Sequence, residues 1–177
     1  MKIISFISRF IDKINRMYRD RLFYEKTGQR ARIVGDIILL NTNIKLGKNV
    51  LIYPNVQFFG DGLIEIGDNV SIGTGTIIYS SKLGGVRIGS NTMIGGQSYI
   101  IDTDHGTVKG KNMRDQGYNV SRVEIGNDCW LACNVTVLRG SIIHDGAVVG
   151  AKALVNSEIP SDSINVGIPA KTIKYRS

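Results

Sequence analysis

An aliphatic or aromatic residue returns every six positions along most of the chain, and glycine often follows it. Val34, Leu40, Leu46, Ile52 and Phe58 form one run, Ile66, Ile72 and Ile78 a second, and Ile88, Ile94 and Ile100 a third. After a gap come Ile125, Leu131, Val137, Ile143, Val149 and Val155. A small or branched residue stands four places further on, as at Val50, Val70, Thr76, Thr92, Ser98, Cys129, Val135, Ala147 and Ala153. This period fits neither the 3.6 of a helix nor the 2 of a strand. It marks a solenoid whose units bury their apolar side only by stacking on a neighbour. Six residues make a short strand and a turn, so three units close a triangular coil of about 18 residues. Successive coils then pair as parallel strands about 4.8 Å apart, with the six-position residue and the small residue pointing inward. Glycine at the next place suits a corner that needs positive φ or close approach of two backbones. The expected fold is an all-β solenoid, a parallel β-helix of hexapeptide repeats over residues 31–165.

The breaks in register add a second message. The spacing exceeds six by two residues from Phe58 to Ile66, by four from Ile78 to Ile88, and by nineteen from Ile100 to Ile125. Grouped in threes backwards from Val155, all three insertions fall between the third unit of one coil and the first of the next. They therefore emerge at one edge of the prism, and repeat insertions aligned on one edge usually build a binding face. For the two short gains, a corner that merely tolerates length is the simpler reading.

Residues 1–30 break the pattern. Ile3, Ile7, Phe10, Ile14, Met17 and Leu22 recur at three-to-five spacing with basic residues between them, as in an amphipathic α-helix. Residues 1–32 hold nine Lys/Arg against Asp12, Asp20 and Glu25, so 9 − 3 = +6 of the total +7 lies there. The solenoid itself is nearly neutral, which argues against a nucleic-acid partner, since that would need a basic face on the folded domain. Arg9 interrupts the apolar run and no small-residue cleavage site follows, unlike a signal peptide. No stretch is long enough to span a bilayer. Two readings of the helix stay open: it caps the open end of the solenoid or packs in an oligomer, or residues 1–26 make peripheral contact with an anionic membrane surface. Cys129 and Cys133 fall on opposite sides of the repeat, inward and outward. They do not make a disulfide framework, which suits a reducing, cytoplasmic compartment.

Two histidines are present. His144 falls where neighbouring units often have glycine, and reads as an exposed corner residue. His105 ends the coil Ile100-Ile101-Asp102-Thr103-Asp104-His105, immediately before the longest insertion. That insertion, residues 106–122, is polar and rich in Gly, Lys and Asn, and reads as a long projecting loop. A loop of this length in a compact repeat domain is more often functional than idle. Histidine is also the side chain whose ordinary pKa, about 6.5, best suits proton transfer near neutrality.

With these residues in hand, the chain resembles the hexapeptide-repeat acyltransferases of left-handed β-helix fold, in particular the maltose/galactoside and polysaccharide O-acetyltransferase branch. The resemblance covers roughly residues 33–176. It is carried by Val123-Glu124-Ile125-Gly126-Asn127-Asp128-Cys129-Trp130-Leu131-Ala132, by Gly146-Ala147-Val148-Val149-Gly150-Ala151, by Ile159-Pro160 and Val166-Gly167-Ile168-Pro169-Ala170-Lys171, and by an Asp-His before a long loop. The left hand is implied by the likeness, since the period does not show it. The same likeness implies that His105 is a general base that takes the proton of an acceptor hydroxyl, which then attacks the thioester of acetyl-CoA directly. It implies contacts to CoA from Ala132, Cys133, Ala151, Lys171 and Lys174, with the tail 166–177 taking part. The family's Thr-Lys appears here as Asn156-Ser157, which weakens any grip on phosphate at that place. Lys152, standing where glycine is common, can supply the charge instead. Trp130 is expected to wall the acceptor pocket, while Asp102 or Asp104 orients His105 or meets the sugar. Turn chemistry is the plainer reading of that acidic pair.

The resemblance further implies a homotrimer with sites between subunits, acting without a metal in the cytoplasm or at the inner face of the membrane. The expected acceptor is a sugar hydroxyl of a surface-polysaccharide precursor. The asparagine that the sugar acetyltransferases place about one and a half coils before the histidine has no counterpart near Thr76–Ser81, which leaves the acceptor open. Serine or an amino sugar is the rival. A zinc hydratase would want three imidazoles, and a silent scaffold is the third class.

Overall fold

The computed structural model describes residues 2–177, with side chains from Phe10 onward. Residues after the N-terminal helix wind into three parallel sheets joined at corners. The first face runs from Arg32–Ile33 through Trp130–Leu131 to Ser163–Val166. The second runs from Ile38–Leu39 to Leu154–Val155, and the third from Ile44–Leu46 to Glu158–Ile159. Each strand pairs with its counterpart one coil away: Ile52 with Ile72, Ile94 with Leu131, and Ile125 with Ile143. The six-position residues Ile52, Phe58, Ile72, Ile100 and Leu131 are fully buried, together with the small residues Thr76, Thr92, Ser98, Val135 and Ala147.

The corners explain the glycines. A Cβ on Gly89 would lie 2.5 Å from the backbone carbon of Gly126, and one on Gly95 2.5 Å from that of Ala132. Close stacking of coils therefore excludes any side chain there. Positive φ falls two residues later, at Asn49, Asn69, Asn91, Asp128, Asn134 and Lys152, mostly the short amides and acids that tolerate this region best. Side chains also tie one corner vertically. Asp68 accepts from the Lys48 N–H at 2.6 Å, Ser90 Oγ from the Asp68 N–H at 3.0 Å, Asn127 Oδ1 from the Ser90 N–H at 2.9 Å, and Asp145 Oδ1 from the Asn127 N–H at 2.7 Å.

The first coil corrects the sequence register by one residue. Ile33 and Leu39, not Val34 and Leu40, pair with Ile52 and Phe58, and Val34 and Leu40 are exposed. The extra residue is Asn41, buried at the corner between the second and third faces. Its Nδ2 donates to Phe59 O and Gly62 O, and its Oδ1 accepts from the Asn43 N–H. Two aliphatic residues stand side by side at 33–34 and at 39–40, so the pattern hid the shift. This gain of one lies on the same edge as the gains of two, four and nineteen.

The helix α1 (Lys2–Thr27) covers the open end of the first coil. Phe23 is buried in the core cluster. Asp20 accepts from the Ile33 N–H at 2.8 Å, and Gln29 Oε1 accepts from the Leu46 N–H at 3.2 Å. Such contacts satisfy amide groups and apolar surface that a first coil would otherwise expose. The outer side of α1 still shows Phe10, Ile14, Met17 and Tyr18; the side chains of Ile3 and Ile7 lie outside the described residues. No helix among the described residues is long and apolar enough to cross a membrane. At the other end the tail turns back, and Lys171–Tyr175 pairs antiparallel with Ser163–Val166.

Candidate active site

The long insertion is a hairpin arm, not an irregular loop. Thr103–His105 pairs antiparallel with Tyr118–Val120, setting His105 opposite Tyr118. A 3-10 turn at Met113–Asp115 reverses the chain. Gln116 braces it by accepting from the Val108 N–H and donating to Val108 O and Lys111 O. The arm leaves the prism at the corner between the second and third faces.

Asp102 anchors its root. The carboxylate is wholly buried and accepts from the Ser81 N–H at 2.9 Å and the Gly85 N–H at 2.7 Å, with the Ser80 hydroxyl at 3.4 Å. Its backbone carbonyl accepts from the Ser121 N–H. A buried carboxylate with backbone donors is well satisfied, and none of these partners is His105. Asp104 points to Arg139 of the next coil, Nε to Oδ2 2.5 Å. His105 is exposed, its ring tilted on Tyr118 with centroids 4.8 Å apart. Among the described residues no hydrogen bond reaches the imidazole. Tyr79 lies beside Ile101 one coil below; burial first, then Tyr118 and the carboxylates of Asp102 and Asp61, push its hydroxyl pKa up.

The other expected site residues gather elsewhere. Trp130 pairs with Met93 and Val148 on the first face, and both Trp130 and Met93 are about half exposed. At the corner between the first and second faces, Cys133 is exposed below Lys152, whose N–H donates to Cys133 O at 3.0 Å. Ala132 is half-buried and Ala151 exposed at this corner, and Lys171 and Lys174 project from the final strand. Small side chains flanked by exposed Lys152 and Lys171 fit CoA, a flexible apolar arm lying along the alanines while ammonium groups meet phosphates; Lys174 stands further along the first face, opposite Ile164. His105 and this corner are separated by the second face, roughly 15–20 Å for a six-residue side at about 3.3 Å per residue. A single chain therefore does not bring His105 and the lysine-flanked corner together.

His144 is half-buried and paired to Glu158 at 2.6 Å on the third face, away from the arm. Cys129 is buried, and burial pushes its thiol up to about 11. Sequence reasoning missed Tyr118 and Arg139. The alternation of Thr103 and His105 with Tyr118 and Val120 around a glycine-rich stretch was the available sign of a hairpin. Arg139 carried none, because its contact crosses from one coil to the next.

Known proteins share this architecture and these segments. Residues 122–157 match the family described as bacterial transferase hexapeptide (six repeats). The protein named "Putative lipopolysaccharide biosynthesis O-acetyl transferase WbbJ" of Escherichia coli is 36% identical over 171 residues, covering 90% of this chain and 86% of that one. The E. coli protein named "Putative colanic acid biosynthesis acetyltransferase WcaF" is 33% identical over 132 residues, covering 75% and 69%. Among solved structures, AntD, an N-acyltransferase from Bacillus cereus, superposes with a TM-score of 0.75 at 18% identity over 90% of this chain and 89% of that one. A hexapeptide-repeat acetyltransferase of Vibrio cholerae solved with acetyl coenzyme A gives 0.61 at 21%, over 90% and 76%. The fold is the left-handed parallel β-helix of these neighbours, in about seven turns. The chain belongs to the hexapeptide-repeat acetyltransferase family.

Proposed function

We propose that the protein transfers an acetyl group from acetyl-CoA to a hydroxyl of a sugar in a surface-polysaccharide precursor, with His105 as general base. The observation that carries the reading is His105 itself: exposed at the root of an anchored arm, its ring against Tyr118 and its nitrogens without a hydrogen-bond partner among the described residues. An imidazole nitrogen takes the hydroxyl proton as the oxygen attacks the thioester carbonyl, because an alcohol is a poor nucleophile until a base in reach relieves it. The tetrahedral intermediate collapses, the C–S bond breaks, and the imidazolium returns its proton to the departing thiolate. The oxyanion of that intermediate needs a hydrogen-bond donor from the neighbouring backbone.

The distance between His105 and the lysine-flanked corner supports a homotrimer in which the arm of one subunit meets the Cys133–Lys152 corner of the next. Ala132, Ala151, Lys171 and Lys174 then cradle CoA, and Trp130 walls the acceptor side. Asp104, held by Arg139, positions the strand that carries His105. We place the reaction in the cytoplasm at the inner face of the membrane, where acetyl-CoA and a lipid-linked glycan precursor meet.

His105→Ala should lower kcat about 100-fold or more at an unchanged melting temperature, read as CoA release with glycan acceptors. Full activity in this variant would remove the mechanism. A second reading is N-acylation of a nucleotide-linked amino sugar, because E. coli dTDP-4-amino-4,6-dideoxy-D-glucose acyltransferase is 30% identical over 158 residues, covering 75% of this chain and 82% of that one. Hydroxylamine separates the two: an ester product is cleaved and an amide is not.

A further inference from the structure

The outer side of α1 is unused by the fold. Phe23 faces the core, and Ile14 lies about 180° round the helix from it at 3.6 residues per turn. Phe10, Ile14, Met17 and Tyr18 on that outward side are 50% exposed or more. Lys13 lies on the flank, about 100° from Ile14, while Arg16 and Arg19 turn toward the solenoid and join Arg32 of the first strand around a cleft of about 430 Å³ whose lining carries one acid, Asp12. Arg19 in its wall donates from Nη2 to Val34 O and lies 3.9 Å from Asp36, and its Nε is buried with no partner among the described residues. Packing the helix on a second copy of itself would bring together two segments that each carry 9 − 3 = +6 over residues 1–32, at a cost in repulsion. An anionic surface matches them.

We propose that α1 docks the protein on anionic phospholipid, with Phe10, Ile14, Met17 and Tyr18 entering the acyl boundary while Lys13 on the flank and exposed Arg21 hold lipid phosphates and the 9 − 3 = +6 charge of residues 1–32 draws the segment to the surface. An amphipathic helix lying in the interface binds by buried apolar area plus attraction to anionic lipid. Basic side chains near such a surface contribute additively within a Debye length. The solenoid then stands on the membrane by its N-terminal end, with the arm several coils above. The inference deepens the membrane-facing transferase reading and rests on it for its purpose alone.

The test uses the full-length protein, without acetyl-CoA or acceptor, sedimented with vesicles of phosphatidylcholine alone or mixed with phosphatidylglycerol. Binding should be about tenfold tighter or more on the mixed vesicles and should weaken as salt rises. Phe10→Ser/Ile14→Ser/Met17→Ser should abolish it. Lys13→Glu/Arg21→Glu, which touches only exposed charge, should weaken it at least about tenfold. Both variants should keep native transfer to a soluble acceptor. Equal binding to both vesicle types, no binding, or native-like binding by either variant overturns the proposal. Loss of oligomer mass in the serine variant, with no vesicle binding by the native protein, assigns the face to subunit packing and overturns it too. Absent transfer activity with intact vesicle binding instead removes the transferase reading and leaves the docking surface standing.

Discussion

Cys129 and Cys133 are four positions apart and chemically unlike. Cys129 lies inside the prism with its thiol pushed up to about 11 by burial, while Cys133 is exposed at the lysine-flanked corner. Since the thiolate is the reactive form, a maleimide-type reagent near neutral pH should label one thiol in the native protein and two in denaturant. Acetyl-CoA should slow the native labelling if Cys133 borders its thioester; an unchanged rate would separate Cys133 from that site. Asp145 answers to acid. The Asn127 backbone N–H and amide both donate to it and hold its carboxyl below the usual range. A depressed folded value stabilises above the unfolded pKa, near about 3.9, and that contribution is lost as pH falls through the folded one. Asp145→Asn should therefore flatten the decline of Tm with falling pH on the acid side, measured by thermal scans. At this scale the inward residues, the small residues and His105 were legible because period and composition mark them. Tyr118 and Arg139 were not, because each meets its partner across a pairing register that spacing alone does not specify.

Among the elements, the arm makes the strongest mechanical demand. Asp102 ties its root to the Ser81 and Gly85 amides in the coil below. Asp102→Ala leaves those buried donors unpaired and should cost about 2–4 kcal/mol, seen as a lower denaturation midpoint. The exposed Arg139–Asp104 pair should be worth under about 1 kcal/mol to stability. Arg139→Ala should therefore leave the midpoint almost unchanged while lowering kcat more than it changes KM for acetyl-CoA. Equal loss of both stability and activity would mark Arg139 as structural only. The arm's place was readable from the nineteen-residue gap, while its hairpin left only the short alternation of Thr103 and His105 with Tyr118 and Val120, too brief to fix a pairing. The first coil misled by one residue because Val34 and Leu40 are as apolar as the Ile33 and Leu39 that the pairing uses.

Across the whole molecule, His105 and the lysine-flanked corner stand on different edges of one prism, and the proposed reaction needs both. Co-expressing His105→Ala with Cys133→Trp, each inactive alone, should restore up to about a quarter of native activity, the random expectation for sites shared across a cyclic interface. No recovery in verified mixed oligomers would place the site within one chain. The stacking was legible because every coil repeats the same demand. The assembly was not, because a partner's surface leaves no period.

The two ends of the stack carry one more consequence. Parallel coils present a free row of amides and carbonyls at each end, the same template on which cross-β fibrils elongate. Here α1 lies over one terminus, and at the other the antiparallel strand Lys171–Tyr175, with lysines at 171 and 174, covers the edge of the first face. These two segments act as chain terminators of a one-dimensional polymer. A protein shortened at either end should be prone to fibre growth in storage, whatever becomes of its catalysis.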